Sequence, residues 1–185
     1  MPAYDRRVQS PAPTATEEER RPAAILAVYS WDMLRALLAL LGALAAFGGQ
    51  ATVGTRTVNV TLGEQILAAV SSASFAALLI ILATLLTRRH RWVRTAQIAT
   101  LGTAIAIGAV SLLLAAVLPG QGLQASALTA VLVLVVDAAV IVAMTGHRVV
   151  AWYNLTDARM PAYISGTIAF WAASSAVLIV LQALR

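Results

Sequence analysis

Residues 133–140 read Val133-Leu134-Val135-Val136-Asp137-Ala138-Ala139-Val140, an apolar stretch broken by a single carboxylate. The apolar character continues outward to Gln124 on one side and Gly146 on the other. That length matches the roughly 20 residues an α-helix needs to cross ~30 Å of hydrocarbon. Four further runs of the same kind cover residues 23–49, 65–87, 95–118 and 162–184. A strand of a membrane barrel would alternate polar with apolar side chains, and these runs do not. Hydrocarbon forces every backbone group to bond within its own segment, so each run is expected to be helical. The expected fold is all-α, a multi-pass transmembrane bundle of five spans.

Composition agrees with the runs. Hydrophobic residues make up 60% of the 185 and charged residues 11%, with a mean hydropathy of +0.82. Soluble domains carry about 25% charge. Five spans leave no length for a separate globular domain, so residues 23–185 form one membrane domain. Residues 1–22 hold four prolines, the acidic run Glu17-Glu18-Glu19 and the pairs Arg6-Arg7 and Arg20-Arg21. They are expected to be a disordered tail, since such a segment has too little apolar surface to offset the entropy of ordering. Short connections follow from Gly48-Gly49 and Gly54, from Pro119-Gly120-Gln121-Gly122, and from Gly146 and Pro161. Tight hairpins between successive helices are the expectation.

The arginines orient the chain. With the N-terminus in the cytoplasm, Arg6, Arg7, Arg20, Arg21, Arg88, Arg89, Arg91, Arg94, Arg148 and Arg159 fall inside. Only Arg56 and Arg185 fall outside, the asymmetry that positive-inside insertion produces. Tyr29, Trp31, Trp92, Trp152, Tyr153 and Tyr163 gather near the same inner boundary, where amphipathic rings settle. An odd number of spans then makes the C-terminus external. All 13 basic residues are arginine, and with the excess of Ala, Leu and Val this reads as GC-rich bacterial coding, placing the protein in a bacterial cytoplasmic membrane. Ala43-Leu44-Ala45 resembles a signal-peptidase site and Arg20-Arg21 a twin-arginine pair, but the long charged leader argues against both.

Ionisable groups within spans are costly, which makes each a candidate for function. There are three: Asp32, Arg35 and Asp137. Asp137 stands about ten residues from the inner end of its run, ~15 Å deep at 1.5 Å per residue. Asp32 and Arg35 are three apart, on one helix face, and can satisfy each other locally. Arg35 also lies within ~5 Å of the depth of Asp137, so a pair between those two is geometrically allowed. Asp137 reads as a protonated acid bonded to a neighbouring helix, as a carboxylate serving a proton or cation path, or as a tie to a partner subunit. Ser174 and Ser175, at mid-depth in the last run, are the expected hydrogen-bond partners of Asp137 if the last two spans form a hairpin. Gly42-x-x-x-Ala46, Ser71, Ser72, Ser74, Thr100, Gly102, Thr103 and Gly108 supply small surfaces for helix contact.

Two loops hold the other polar residues. Arg88, Arg89, Arg91, Trp92 and Arg94 form a basic, aromatic cluster suited to anionic lipid head groups, and equally to topology signalling. The stretch from His147 to Pro161, with Trp152, Tyr153, Asn154, Asp157 and Arg159, suits a short interfacial helix. His90 and His147 lack a third ligand for a metal or haem, so no cofactor is expected. With no cysteine, thiolate chemistry is excluded. The net charge of +5 is accounted for by the inner-face arginines, so nucleic acid is not an expected partner. Thr87-Arg88-Arg89-His90-Arg91 has a faint echo in Thr145-Gly146-His147-Arg148, yet the spans share little beyond composition.

Phosphate-binding glycine loops, zinc-protease helices and serine elbows are all missing from the sequence, which weighs against an enzyme. The expected role is an accessory, assembly or scaffold subunit of a cytoplasmic-membrane complex, with lipids and other membrane subunits or its own copies as partners. The alternative is a small proton- or cation-coupled carrier or channel subunit using Asp137.

Overall fold

The computed structural model describes residues 22–53, 56–117, 125–153 and 159–184. The expected tail, the Pro119–Gly122 turn, and Asn154 and Asp157 lie outside the described residues. The elements in order are α1 (Ala23–Ala45), a 3-10 turn (Ala46–Gly48), β1 (Gln50–Val53), β2 (Arg56–Asn59), α2 (Leu62–Leu85), α3 (Arg91–Val117), α4 (Ala125–Thr145), α5 (His147–Tyr153) and α6 (Ala162–Ala183). Among the described residues, five helices are long and apolar enough to cross a membrane. At 21 to 27 residues each, they run from ~31 to ~40 Å.

The chain is a multi-pass membrane protein. Its helices leave Leu128 75% exposed, Val142 69% and Leu113 65%. Such an apolar surface is unfavourable in water and ordinary in hydrocarbon, where lipid tails are as apolar as leucine. Hydroxyls on exposed faces bond back to their own helix, Thr103 to the Ala99 carbonyl at 2.8 Å and Thr167 to the Tyr163 carbonyl at 2.8 Å. They therefore face lipid without an unsatisfied polar group.

The helix order around the bundle departs from sequence order. Helix α2 packs on α1 and α6, while α3 packs on α4 and α6. The last span is thus wedged between α2 and α3, which meet only lightly although a short turn joins them. Gly108 brings α3 close to α4, since a Cβ there would stand 2.7 Å from Leu134 Cδ2. The contact between α1 and α4 that completes the circuit is loose at the backbone level.

The first connection is not a bare turn. Gly49 takes a left-handed conformation, φ 73°, and launches an antiparallel ribbon in which Val53 pairs with Arg56 and Gln50 with Asn59. Gly54, between the β-branched pairs Thr52-Val53 and Thr57-Val58, is a hairpin signal that hydropathy alone does not carry. After the ribbon, Thr61 and Glu64 form a capping box that starts α2 at Leu62, three residues earlier than the apolar run suggests.

At the opposite end, α5 is the short helix expected after Gly146. Tyr153, fully buried, donates to the Leu86 carbonyl at 2.8 Å and holds α5 against the end of α2. Ile25, Val28, Val93, Met144 and Val149 close the core there, so the start of α1, the end of α2, the start of α3 and the end of α4 all meet at this arginine-rich end.

Candidate functional site: a buried polar centre in the arginine-rich half

One turn of α1 supplies most of the centre. Trp31 and Arg35 are four apart and face the same way, toward α4. Trp31 Nε1 donates to Asp137 Oδ1 at 2.8 Å and Arg35 Nη1 donates to Asp137 Oδ2, so both carboxylate oxygens are engaged. Asp137 is fully buried and Arg35 is 13% exposed. An ion pair at that depth forms because each charge is far costlier alone. The guanidinium has a second support, lying 5.3 Å from the centre of the Phe75 ring on α2. Phe75 stacks on Trp171 of α6 at 4.3 Å, so the pair is backed by two further helices.

Asp32 follows Trp31 by one residue and is rotated about 100° around the helix. It therefore meets α3 instead of α4. Both its oxygens accept from Gln97 Nε2 at 2.8 Å, and both residues are fully buried. Asp32 and Arg35 do not satisfy each other locally, contrary to one reading of their spacing. Gln97 Oε1 and Thr100 Oγ1 are buried without a hydrogen-bond partner.

The pairing of Asp137 with Ser174 and Ser175 is a correction. Helix α6 sits against α2 and α3, so its hydroxyls face Ser71: Ser174 Oγ is 2.9 Å from Ser71 Oγ, which is 3.2 Å from Ser175 Oγ. The expectation failed because it assumed that consecutive spans are neighbours, whereas α6 packs on α2 and α3. Trp31 and Gln97 were not foreseen as members of the centre. Trp31 reads as part of an interfacial belt until its indole N–H is seen turned inward, and Gln97 is uncharged and so escapes a search for ionisable groups. A glutamine in an apolar run needs a partner, and that signal was available.

The basic cluster is partly spent on the protein itself. Arg94 Nε donates to the Met144 carbonyl at 2.7 Å, satisfying an end group of α4. The Arg89 guanidinium lies 3.9 Å from the Trp152 ring centre, tying the α2–α3 turn to α5. Trp92 is half-buried and faces His90 in parallel at 6.5 Å. Arg88 and Arg91 are exposed at this end. His147 is exposed as well, and among the described residues no group of three histidine or acidic side chains comes together as a metal site.

Between α1 and α4 runs a groove of about 430 Å³, lined by Ala24, Ala27, Ser30 and Leu34 on one wall and by Ala139 and Ala143 on the other. Trp31 also lines it. Ala27, Ser30, Leu34 and Ala139 are exposed, so the groove opens sideways from the bundle. The large Trp31 and Arg35 side chains bridge the two helices to Asp137, while the backbones of α1 and α4 meet only lightly. Chemically, the centre gathers two buried carboxylates and a guanidinium and ties α1 to α3 and α4. Compared with known protein families, curated proteins and solved structures, the chain matches none.

Proposed function

We propose that the protein is an accessory, assembly or scaffold subunit of a complex in a bacterial cytoplasmic membrane, with its N-terminus inside and its C-terminus outside. The observation that carries this reading is the sideways groove between α1 and α4, apolar and edged by Ala24, Ala27, Ser30, Ala139 and Ala143. Small residues at such a seam let another backbone approach closely, which is how membrane helices associate. Its occupant in this reading is a transmembrane helix of a partner protein. The Arg35–Asp137 pair supports the same role, because it holds both walls of the groove in place while keeping its own charges satisfied. The orientation rests on the arginine distribution, and exposed Arg88 and Arg91 would then face anionic lipid head groups.

The test is photocrosslinking in intact membranes from a benzoylphenylalanine placed at Ala27 or Ala139, with Ala24→Trp as the blocking variant. The reading expects one discrete protein adduct that also co-purifies stoichiometrically, lost in Ala24→Trp while folded yield is kept. Adducts to lipid alone, or none, would remove the partner. An adduct to a second copy of this chain would replace an accessory role by self-assembly. Reporter fusions check the orientation: the arrangement expects a cytoplasmic signal after Arg91 and an external one after Arg185, and a cytoplasmic C-terminus would contradict it.

A further inference from the structure

The polar centre does not balance its charges. Asp32 and Asp137 bring two carboxylates, and Arg35 brings one guanidinium, which is bonded to Asp137. Asp32 is left with the neutral amide of Gln97. The other ionisable groups around it do not supply the missing positive charge. On α1, Tyr29 stands a turn earlier and is uncharged when protonated. On α3, Arg94 is directed to the Met144 carbonyl and Arg91 sits exposed at the helix start. Helix α4 contributes Asp137 itself, a second acid, which is bonded to Arg35. Within α2 the one ionisable residue is Glu64, at the far end in the capping box, and within α6 it is Tyr163, exposed at the first turn.

The hydrogen-bond pattern shows a second imbalance at the same place. The Gln97 amide turns its N–H groups to Asp32, the orientation an ionised carboxylate requires, and this leaves Oε1 buried and unpartnered. Thr100 is three residues further along α3, the spacing at which side chains are neighbours on a helix face. Its hydroxyl is also fully buried and unpartnered. A buried polar atom without a partner is costly, and two on one face of α3, one of them on the amide that holds an unbalanced acid, call for an explanation.

We propose that Asp32 and Gln97 form a proton-binding site inside the membrane, with Gln97 as an amide that turns over when the proton binds. One proton adds to a carboxylate oxygen of Asp32 and cancels the surplus charge of the centre. Asp32 then donates its O–H to Gln97 Oε1, which rotates in to accept it. The same rotation carries Nε2 away from the carboxyl group, to the side now occupied by Oε1. No covalent bond other than the O–H is made or broken, and the Arg35–Asp137 pair is left intact. The site is independent of whether a partner occupies the groove.

The experiment is infrared difference spectroscopy of the purified full chain in lipid nanodiscs, stepped from acidic to alkaline buffer. The proposal expects a carboxylic C=O band that is lost as one proton leaves, passing from about nine-tenths to about one-tenth over about two pH units around its midpoint. A side-chain amide C=O band should shift with the same midpoint. Asp32→Asn should remove the carboxylic band, and Asp32→Glu, which retains the acid if Asn does not fold, should displace it. Gln97→Leu should remove the amide shift and keep the carboxylic band. A carboxylic band unmoved by both Asp32 variants would assign the proton elsewhere. The absence of any titrating carboxylic band, or a carboxylic band that titrates with no amide shift, would likewise overturn the site.

Discussion

Asp137 and Asp32 are both fully buried acids at similar depth in the same half of the bundle, and the protein treats them differently. Asp137 has a guanidinium and an indole N–H, one for each oxygen, with Phe75 and Trp171 packed behind the arginine. Asp32 has one amide shared between its oxygens. The difference arises from position on a single helical turn: residues 31 and 35 face α4, and residue 32 faces α3. A buried charge is therefore assigned its partner by the helix it faces, and spacing along its own helix decides only which helix that is.

The largest expected effect lies in the Asp137 half of this comparison. Asp137→Leu or Arg35→Leu alone leaves an uncompensated buried charge or donor, a loss of about 3–5 kcal/mol in soluble interiors. Even Asp137→Asn, which keeps shape and hydrogen bonding, strands the Arg35 charge. Thermal unfolding in detergent should show each single variant strongly destabilised and the Leu/Leu double variant recovering part of the loss. Equal stability for single and double variants would mean that the two residues act separately.

A much smaller effect is expected where polar contacts carry no charge. Ser174→Ala removes a hydroxyl contact with Ser71 between α2 and α6. Hydrogen bonds between membrane helices average ~0.6 kcal/mol, so the same unfolding measurement should detect a shift near its limit of resolution. A loss for Ser174→Ala as large as that for Arg35→Leu would show that the serine cluster, and not the ion pair, is the main tie.

How much of this was legible in the sequence varies with the scale of the question. The fourth and last spans, expected at 124–146 and 162–184, are helices at Ala125–Thr145 and Ala162–Ala183. Hydropathy locates spans because the bilayer imposes length and apolarity directly on the chain. Boundaries move where local chemistry intervenes: the Thr61–Glu64 capping box extends α2 backward, and α3 begins at Arg91, within the basic cluster. The Arg35–Asp137 pairing was accessible from depth alone, since both residues could be counted from helix ends. The Ser174 and Ser175 assignment failed because depth does not say which helices touch, and wedging α6 between α2 and α3 is a property of the whole packing. Gln97 and Trp31 were readable as residues but not as partners, for the same reason.

The account rests on one tie, Arg35 to Asp137, holding α1 against α4 where their backbones barely meet. Exchange of the two charges tests it most directly. Arg35→Asp alone and Asp137→Arg alone each place two like charges together in the bundle interior, and the combined variant restores an opposite pair. The account predicts little folded protein in detergent from either single variant and a clear recovery in the combined one, read by size-exclusion chromatography and thermal unfolding. Single variants that fold as well as the original chain, or a combined variant no better than the singles, would contradict it.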